Sequence, residues 1–500
     1  MRYARLKNEW VLRGWADEPH SLLNFKTGDC RQLSEQMFLL AQACDGLTDL
    51  AAAAGFIGRE VFLDKLIAAG MAEECGQGEE ILPYQRFRKA DNAYIRTVHW
   101  LITGRCNLKC RHCYMEAPAG TYGELPLPDI LRIIDRLAAA NVHHVHLTGG
   151  EPFLRQDLAD ILAALAARQI TVTHISTNGA LVTDEALQNI KKLGFSPHFQ
   201  ISFDGCGAHD AMRGVPGAER AAVQAIRRLR GHGFPVAAAT VVDRANAASL
   251  PETYAVLKRM DIQSWLVGLP EKIGNWRDSE TELAWEEALA AYAAVADRWS
   301  ADGRPFELKI SGFDCTGKIE EFAGYGPESY DCMSCRLTPT LLPDGTIIPC
   351  PGYIDIIDKK RMPNILRQSF AAALSSPALR AITDIRKKDV LAHNAACAAC
   401  AEFPRCGGGC RVCSPAHTSS ISARTPSPRL ATSGTTGQPR QAARRCASTC
   451  TPCDCATSTM FSATTTGTLA SNSCELRYSP RAMLEASMML TIRSASRAST

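Results

Sequence analysis

Between residues 96 and 310 the hydrophobic pattern switches repeatedly between two periods. Short apolar runs rich in β-branched residues read as buried strands. They are TVHWLIT (97–103), HHVHLT (143–148), ITVTHIST (170–177), PHFQIS (197–202), FPVAAATVV (234–242) and IQSWLVG (262–268). Between them lie segments such as LPDILRIIDRLAAA (127–140) and DLADILAALAARQ (157–169), whose apolar residues recur at helical spacing. Such alternation predicts parallel strands joined by right-handed helical crossovers. About six units can be counted, so the expected fold class is α/β, a partial (β/α)6 barrel.

Residues 1–85 read differently and are expected to form a separate winged-helix-like domain. EWVLRGW and SLLNFKTGDCRQL alternate as strands, with a Lys-Thr-Gly-Asp turn inside the second. Ser34 caps a helix over EQMFLLAQACDG that Gly46 closes, and REVFLDKLIAAG gives another helix. The polar Gly-Glu stretch after it is expected to form a β-wing. Residues 311–413 are loop-rich, and 414–500 lose all periodicity.

Composition narrows the function. A 46% hydrophobic content is ample for a core, and the formal charge of +3 points to no nucleic-acid partner. No run of about 18 apolar residues suggests a membrane span, and MRYARLKNEW lacks the apolar core of a signal peptide. The expected location is therefore the cytoplasm. There, 21 cysteines are metal ligands rather than a disulfide framework.

The most informative cysteines are Cys106, Cys110 and Cys113 in TGRCNLKCRHCYMEAP. Three thiolates within eight residues suit an iron–sulfur cluster that leaves one iron open to an exogenous ligand. A structural zinc takes four closed ligands, and no fourth Cys or His sits at a natural spacing, His112 lying between two of the cysteines. C-x3-C-x2-C followed by the aromatic Tyr114 resembles the signature of the radical S-adenosylmethionine superfamily. That resemblance implies a catalytic [4Fe-4S] cluster, S-adenosyl-L-methionine chelated at the free iron, and a 5′-deoxyadenosyl radical that abstracts hydrogen. It also implies an electron donor such as flavodoxin or ferredoxin.

Other stretches agree in order and distance. Gly149, Gly150 and Glu151 end a strand 36 residues beyond Cys113 and look like the family's GGE motif, whose backbone and carboxylate hold the methionine amino group. By the same resemblance Ser176, Asn178 and Ser202 line the nucleoside or methionine pocket, and Arg213 faces the methionine carboxylate. The motif residues all fall at C-terminal strand ends, where barrel sites lie.

A second constellation follows. Gly345-x4-Cys350 stands after Cys332 and Cys335, and Cys397-x2-Cys400-x5-Cys406-x3-Cys410 comes later. This resembles the SPASM extension of peptide-modifying radical enzymes, which carries one or two auxiliary [4Fe-4S] clusters; a structural zinc site is the alternative. By the family pattern Cys332 or Cys335, with Cys350 and Cys410, would hold the first cluster; the presence of both suggests that both serve it and complete four ligands, with Cys315 a weaker substitute. Cys397, Cys400 and Cys406 go to the second, with one more cysteine downstream.

The tail departs from the family. Residues 411–500 hold 31 Ser or Thr, ten Arg, no Lys and three acids. Such a composition reads as disorder, and its abrupt onset resembles out-of-frame translation. Its six scattered cysteines, Cys413 and Cys446 among them, offer no family spacing for the final cluster ligand.

Together these features are expected to form a maturase of a ribosomally made precursor peptide, installing a thioether or other crosslink. Residues 1–85 would bind the peptide by adding it as a strand to a sheet edge; a packing cap or a DNA reader is the alternative, the latter disfavoured by helices poor in Arg and Lys. An anaerobic sulfatase maturase fits less well, because that group carries an Asp after the G-x4-C cysteine where Pro351 stands. A non-enzymatic redox sensor would leave the GGE motif without a purpose. For a general base the sequence offers only candidates, Asp204, Asp314 and Asp355.

Overall fold

Seven parallel strands follow one another in chain order across a single sheet: β7 (Val98–Leu101), β8 (His144–Thr148), β9 (Thr171–Thr177), β10 (His198–Ser202), β11 (Val236–Val241), β12 (Ser264–Gly268) and β13 (Glu307–Ile310). The structure is a computed structural model describing residues 1–51, 60–119, 122–279, 281, 283–311, 326–330, 332, 336–393, 398, 399, 403 and 412. All of them lie in one compact unit.

Six of the strands are those expected from the apolar runs, and β13 adds a seventh after the sixth crossover. The crossover helices turn their apolar stripes onto the sheet. In α3 (Leu127–Ala139), Ile130, Ile133, Ile134 and Leu137 fall at helical spacing and are all buried. The next is α4 (Leu158–Ala167). In α5 (Asp184–Lys192) the Thr183 hydroxyl accepts from Ala186 N at 3.2 Å, with acids in the first turn and lysines in the last, which suits the helix dipole. A short helix, α6 (His209–Arg213), precedes α7 (Ala218–Gly231), and α8 (Leu250–Arg259) and α9 (Trp285–Ala301) complete the layer.

The sheet continues past β7. Strand β14 (Thr340–Leu341) pairs parallel with β7, and β15 (Ile347–Ile348) pairs antiparallel with β14. The G-x4-C element is thus a hairpin whose turn needs Gly345 at φ +84°. It sets Cys350 down at the barrel's first-strand edge.

At the other end of the chain, β1 (Tyr3–Leu6) pairs antiparallel with β5 (Ala72–Cys75). A second sheet has the order β4 (Cys30–Gln32), β3 (Ser21–Asn24), β2 (Trp10–Gly14), β6 (Arg88–Lys89). Helix α1 (Glu35–Gln42) starts at Ser34, whose hydroxyl accepts from Met37 N at 3.3 Å, and α2 (Glu60–Ala68) follows. Two expectations shift: β2 is buried at every position rather than alternating, and the segment after α2 enters β5 and pairs with β1 before its Gly-Glu turn.

This N-terminal sheet docks at the starts of β8 and β9, away from the glycine pair. Asn141 Nδ2 donates to the carbonyls of Gly14 (3.2 Å) and Arg88 (3.0 Å), and Thr171 Oγ1 donates to Phe25 O at 2.8 Å. Arg13, fully buried, lies with Nε 3.0 Å from His143 Nε2.

Candidate active site

The loop carrying Cys106, Cys110 and Cys113 has little regular structure, so its shape must come from neighbours. Three segments supply it. At the end of β8, Gly150 N donates to Thr103 O and Glu151 N to Arg105 O, both at 2.8 Å. Gly149 sits at φ +139°, and a β-carbon on Gly150 would overlap the Arg105 carbonyl. On the far side, Lys109 N donates to Arg213 O (3.0 Å) and Arg111 N to Met212 O (2.9 Å). From the loop after β12, Asn275 N donates to Cys113 O and Asn275 Nδ2 to Cys110 O, each at 3.0 Å.

A cavity of about 450 Å³ opens above the C-terminal ends of the strands. All three cysteines of the triplet line it, as do Tyr114, Gly149, Gly150, Ser176, Asn178, Ser202 and Arg213. Cys350, carried by the hairpin, lines it as well. The sequence-derived residues that line it come from six separate stretches of the chain.

Glu151 stands apart. It is fully buried behind the wall, and its carboxylate accepts from Phe153 N (3.0 Å), Thr177 Oγ1 (2.7 Å) and Asn178 N (2.8 Å). Its side chain ties the end of β8 to the end of β9 rather than reaching into the cavity. Burial pushes its carboxyl up to about 6 against these three donors. Asn178 is likewise committed, donating from Nδ2 to Asn107 Oδ1 in the cysteine loop at 2.8 Å.

Arg213 lines the cavity but its charge is already answered. Its Nη2 donates to Asp204 Oδ1 at 3.0 Å, Nε lies 2.6 Å from Oδ2, and Nη1 is 3.6 Å from Cys110 Sγ. Burial opposes ionisation of Asp204, yet the Arg213 guanidinium, with His209 close by, outweighs it and holds the carboxyl below the usual range. Of the candidate bases, Asp204 is thus consumed in an ion pair. Asp355 pairs with Arg277 and accepts from Gly274 N, and Asp314 lies outside the described residues.

Burial pushes the Cys106 thiol up to about 12 and raises Cys113 as well, so thiolates here require a metal to displace the protons. Among the described residues no three His, Cys, Asp or Glu side chains gather tightly enough for one metal ion. Three thiols carried on one short loop fit a multi-iron cluster with an open iron better than a mononuclear zinc, which takes four closed ligands when structural. Of the auxiliary cysteines, Cys350 is buried and Cys332 half-buried. Cys335, Cys397, Cys400, Cys406, Cys410, Cys315, Cys413 and Cys446 lie outside the described residues, as do all of residues 413–500.

Sequence reasoning missed the histidines. His99 and His146 also line the cavity. The signal was present: a histidine occupies the inward register in each of four successive strands.

Comparison with known proteins agrees with this geometry. Residues 100–257 match the radical SAM superfamily, and 332–401 match the SPASM iron-sulfur cluster-binding domain. The AdoMet-dependent heme synthase of Nitratidesulfovibrio vulgaris is 30% identical over 203 residues, 38% of this chain and 55% of that one. The mycofactocin maturase MftC of Mycolicibacterium smegmatis is 31% identical over 320 residues, 62% of this chain and 76% of that one. The crystal structure of Streptococcus suis SuiB bound to precursor peptide SuiA superposes with a TM-score of 0.61 at 16% identity, covering 82% of this chain and 96% of that one; this likeness shows the fold.

The chain belongs to the radical SAM superfamily. Its cofactors are S-adenosylmethionine and [4Fe-4S] clusters, and it is an enzyme of that class. It spans little more than half the length of the heme synthase it matches. Among the described residues no helix is long and apolar enough to cross a membrane.

Proposed function

We propose that this enzyme matures a ribosomally made precursor peptide, forming a thioether or other crosslink in it. The observation that carries this reading is one cavity lined both by the Cys106–Cys113 loop and by Cys350. Cofactor and clusters supply hydrogen abstraction and electron transfer; the chain supplies a walled chamber that keeps the target near the reacting centre.

In this reading residues 1–85 recognise the peptide, 96–310 form the catalytic barrel and 311–413 hold one or two auxiliary clusters. The outer edge of β4, with Arg31 and Gln32 exposed, has the character of a strand-accepting edge. The chain works in the cytoplasm with a flavodoxin or ferredoxin as donor and without nucleic acid. A formylglycine-forming activity is disfavoured by Pro351, which lines the cavity where that reaction's carboxylate base would follow Cys350.

The test is anaerobic reconstitution, then dithionite-driven turnover with synthetic peptides from short reading frames beside the gene. Loss of two hydrogens from a peptide, with 5′-deoxyadenosine formed, supports the reading. Turnover of an iron coproporphyrin and of none of the peptides would assign a tetrapyrrole substrate instead. Iron without any deoxyadenosine would indicate a redox sensor.

A further inference from the structure

The interior of a (β/α) barrel is ordinarily filled by branched aliphatic side chains. Here four histidines stand side by side: His99 on β7, His146 on β8, His174 on β9 and His198 on β10. Successive ring centroids lie 4.6, 5.3 and 5.4 Å apart. His99, His146 and His174 are each 5% exposed. Burial, and then the neighbouring imidazoles, hold His99 and His174 neutral far below the ordinary histidine range.

One member of the row touches the cavity's predicted cofactor residues. His146 Nε2 lies 2.9 Å from Ser176 Oγ, and among the described residues this is the hydroxyl's one hydrogen-bond partner. Both residues line the cavity. Asn178, two positions on and just past the end of β9, is tied to Asn107 of the cysteine loop, so its level belongs to the metal end. Ser176 lies about 7 Å deeper on the same face of the strand. A ligand held by its amino-acid end at the metal would present its nucleoside at that depth.

We propose that His146 is a positioning residue for the nucleoside half of S-adenosylmethionine. As a neutral imidazole it takes the Ser176 hydroxyl proton on Nε2. The lone pairs of Ser176 Oγ then face the cavity and accept from a ribose hydroxyl. The arrangement needs His146 uncharged, because a protonated His146 would carry a hydrogen on Nε2 and donate to Ser176 instead. The inference rests on the cavity being the cofactor's, and wild-type binding tests that separately.

The experiment is calorimetric binding of S-adenosylmethionine, 5′-deoxyadenosine and methionine to the anaerobically reconstituted protein. Expected for His146→Leu and Ser176→Ala is about tenfold weaker S-adenosylmethionine binding, equivalent to about 1.4 kcal/mol. The double variant should bind no more weakly than either single one, and His146→Gln, whose amide oxygen can accept the same proton, should recover most of the affinity. The loss should appear with 5′-deoxyadenosine and not with methionine. Additive losses, an equal loss for methionine, or unchanged affinity in variants with wild-type iron content would overturn the assignment. Ser176→Ala removes a single oxygen and keeps the test decisive if the leucine variant fails to fold. Wild-type protein that binds none of the three probes would overturn the cofactor site itself.

Discussion

The carbonyl of Arg105 occupies the space that a β-carbon on Gly150 would need. The second glycine of the motif is therefore required by the chain's own backbone: it lets the end of β8 close onto the segment leading into Cys106, and two backbone hydrogen bonds seal the contact. Gly150→Ala must push that segment away and misplace the first cysteine. The expected result is a loss of roughly 1–3 kcal/mol in stability and failure to hold the catalytic cluster. Urea unfolding and iron per chain after anaerobic reconstitution measure the two effects. Full iron content in the alanine variant would mean that the loop has another way to close.

The two groups of cysteines predict separable losses. Cys110→Ala leaves the catalytic cluster two protein ligands and should abolish 5′-deoxyadenosine formation. Cys350→Ala should remove about four irons per chain while still allowing dithionite-driven deoxyadenosine formation in the absence of peptide. Iron analysis beside a deoxyadenosine assay distinguishes the cases. Equal iron content in wild type and Cys350→Ala would remove Cys350 from the ligand set.

Much of this site was legible because strand ends announce themselves. A β-branched run stopping at Gly149-Gly150 or at Ser176-Thr177-Asn178 marks where a parallel strand leaves the sheet, and all such ends fall on one rim. The roles of individual side chains were less legible. Nothing in sequence spacing indicates that Glu151 turns away from the cavity to collect three donors, or that Asp204 has folded back onto Arg213. Those depend on which partner lies across a neighbouring strand. The histidine row was missed for the same reason: each histidine looks like an isolated residue until the register sets four of them abreast.

Asp204 and Arg213 form a buried pair, and breaking one half should cost far more than removing both. Arg213→Met leaves a buried carboxylate without its counter-ion, a loss on the order of 3–5 kcal/mol. Asp204→Asn with Arg213→Met removes both charges and should recover more than half of that loss. Chemical denaturation of the two single variants and the double variant gives the coupling. Additive losses would show that the pair is no stabilising unit and that Arg213 is free to serve a ligand.

Glu151 gives a pH dependence whose sign runs opposite to the usual carboxylate. Its folded-state carboxyl titrates at about 6, above the ordinary 4.5, because burial outweighs the three hydrogen bonds. Between those values the folded chain holds a proton that the unfolded chain has released. Stability from this group is thus fully present below pH 4.5, falls as the pH rises, and levels off above about 6. Asp204, held low, contributes in the other direction and only toward more acidic pH, since its contribution is lost as the pH falls below the ordinary 3.8. Glu151→Gln cannot titrate, and its amide brings a donor against three donors, so it should be less stable than wild type throughout. The gap between the two proteins should narrow by on the order of 2 kcal/mol from pH 4.5 to pH 7. Urea unfolding of both proteins across that range measures the gap, with every other titrating group cancelling in the difference. A gap that widens with pH would mean that the three donors dominate and that Glu151 is ionised at little cost behind the cavity wall.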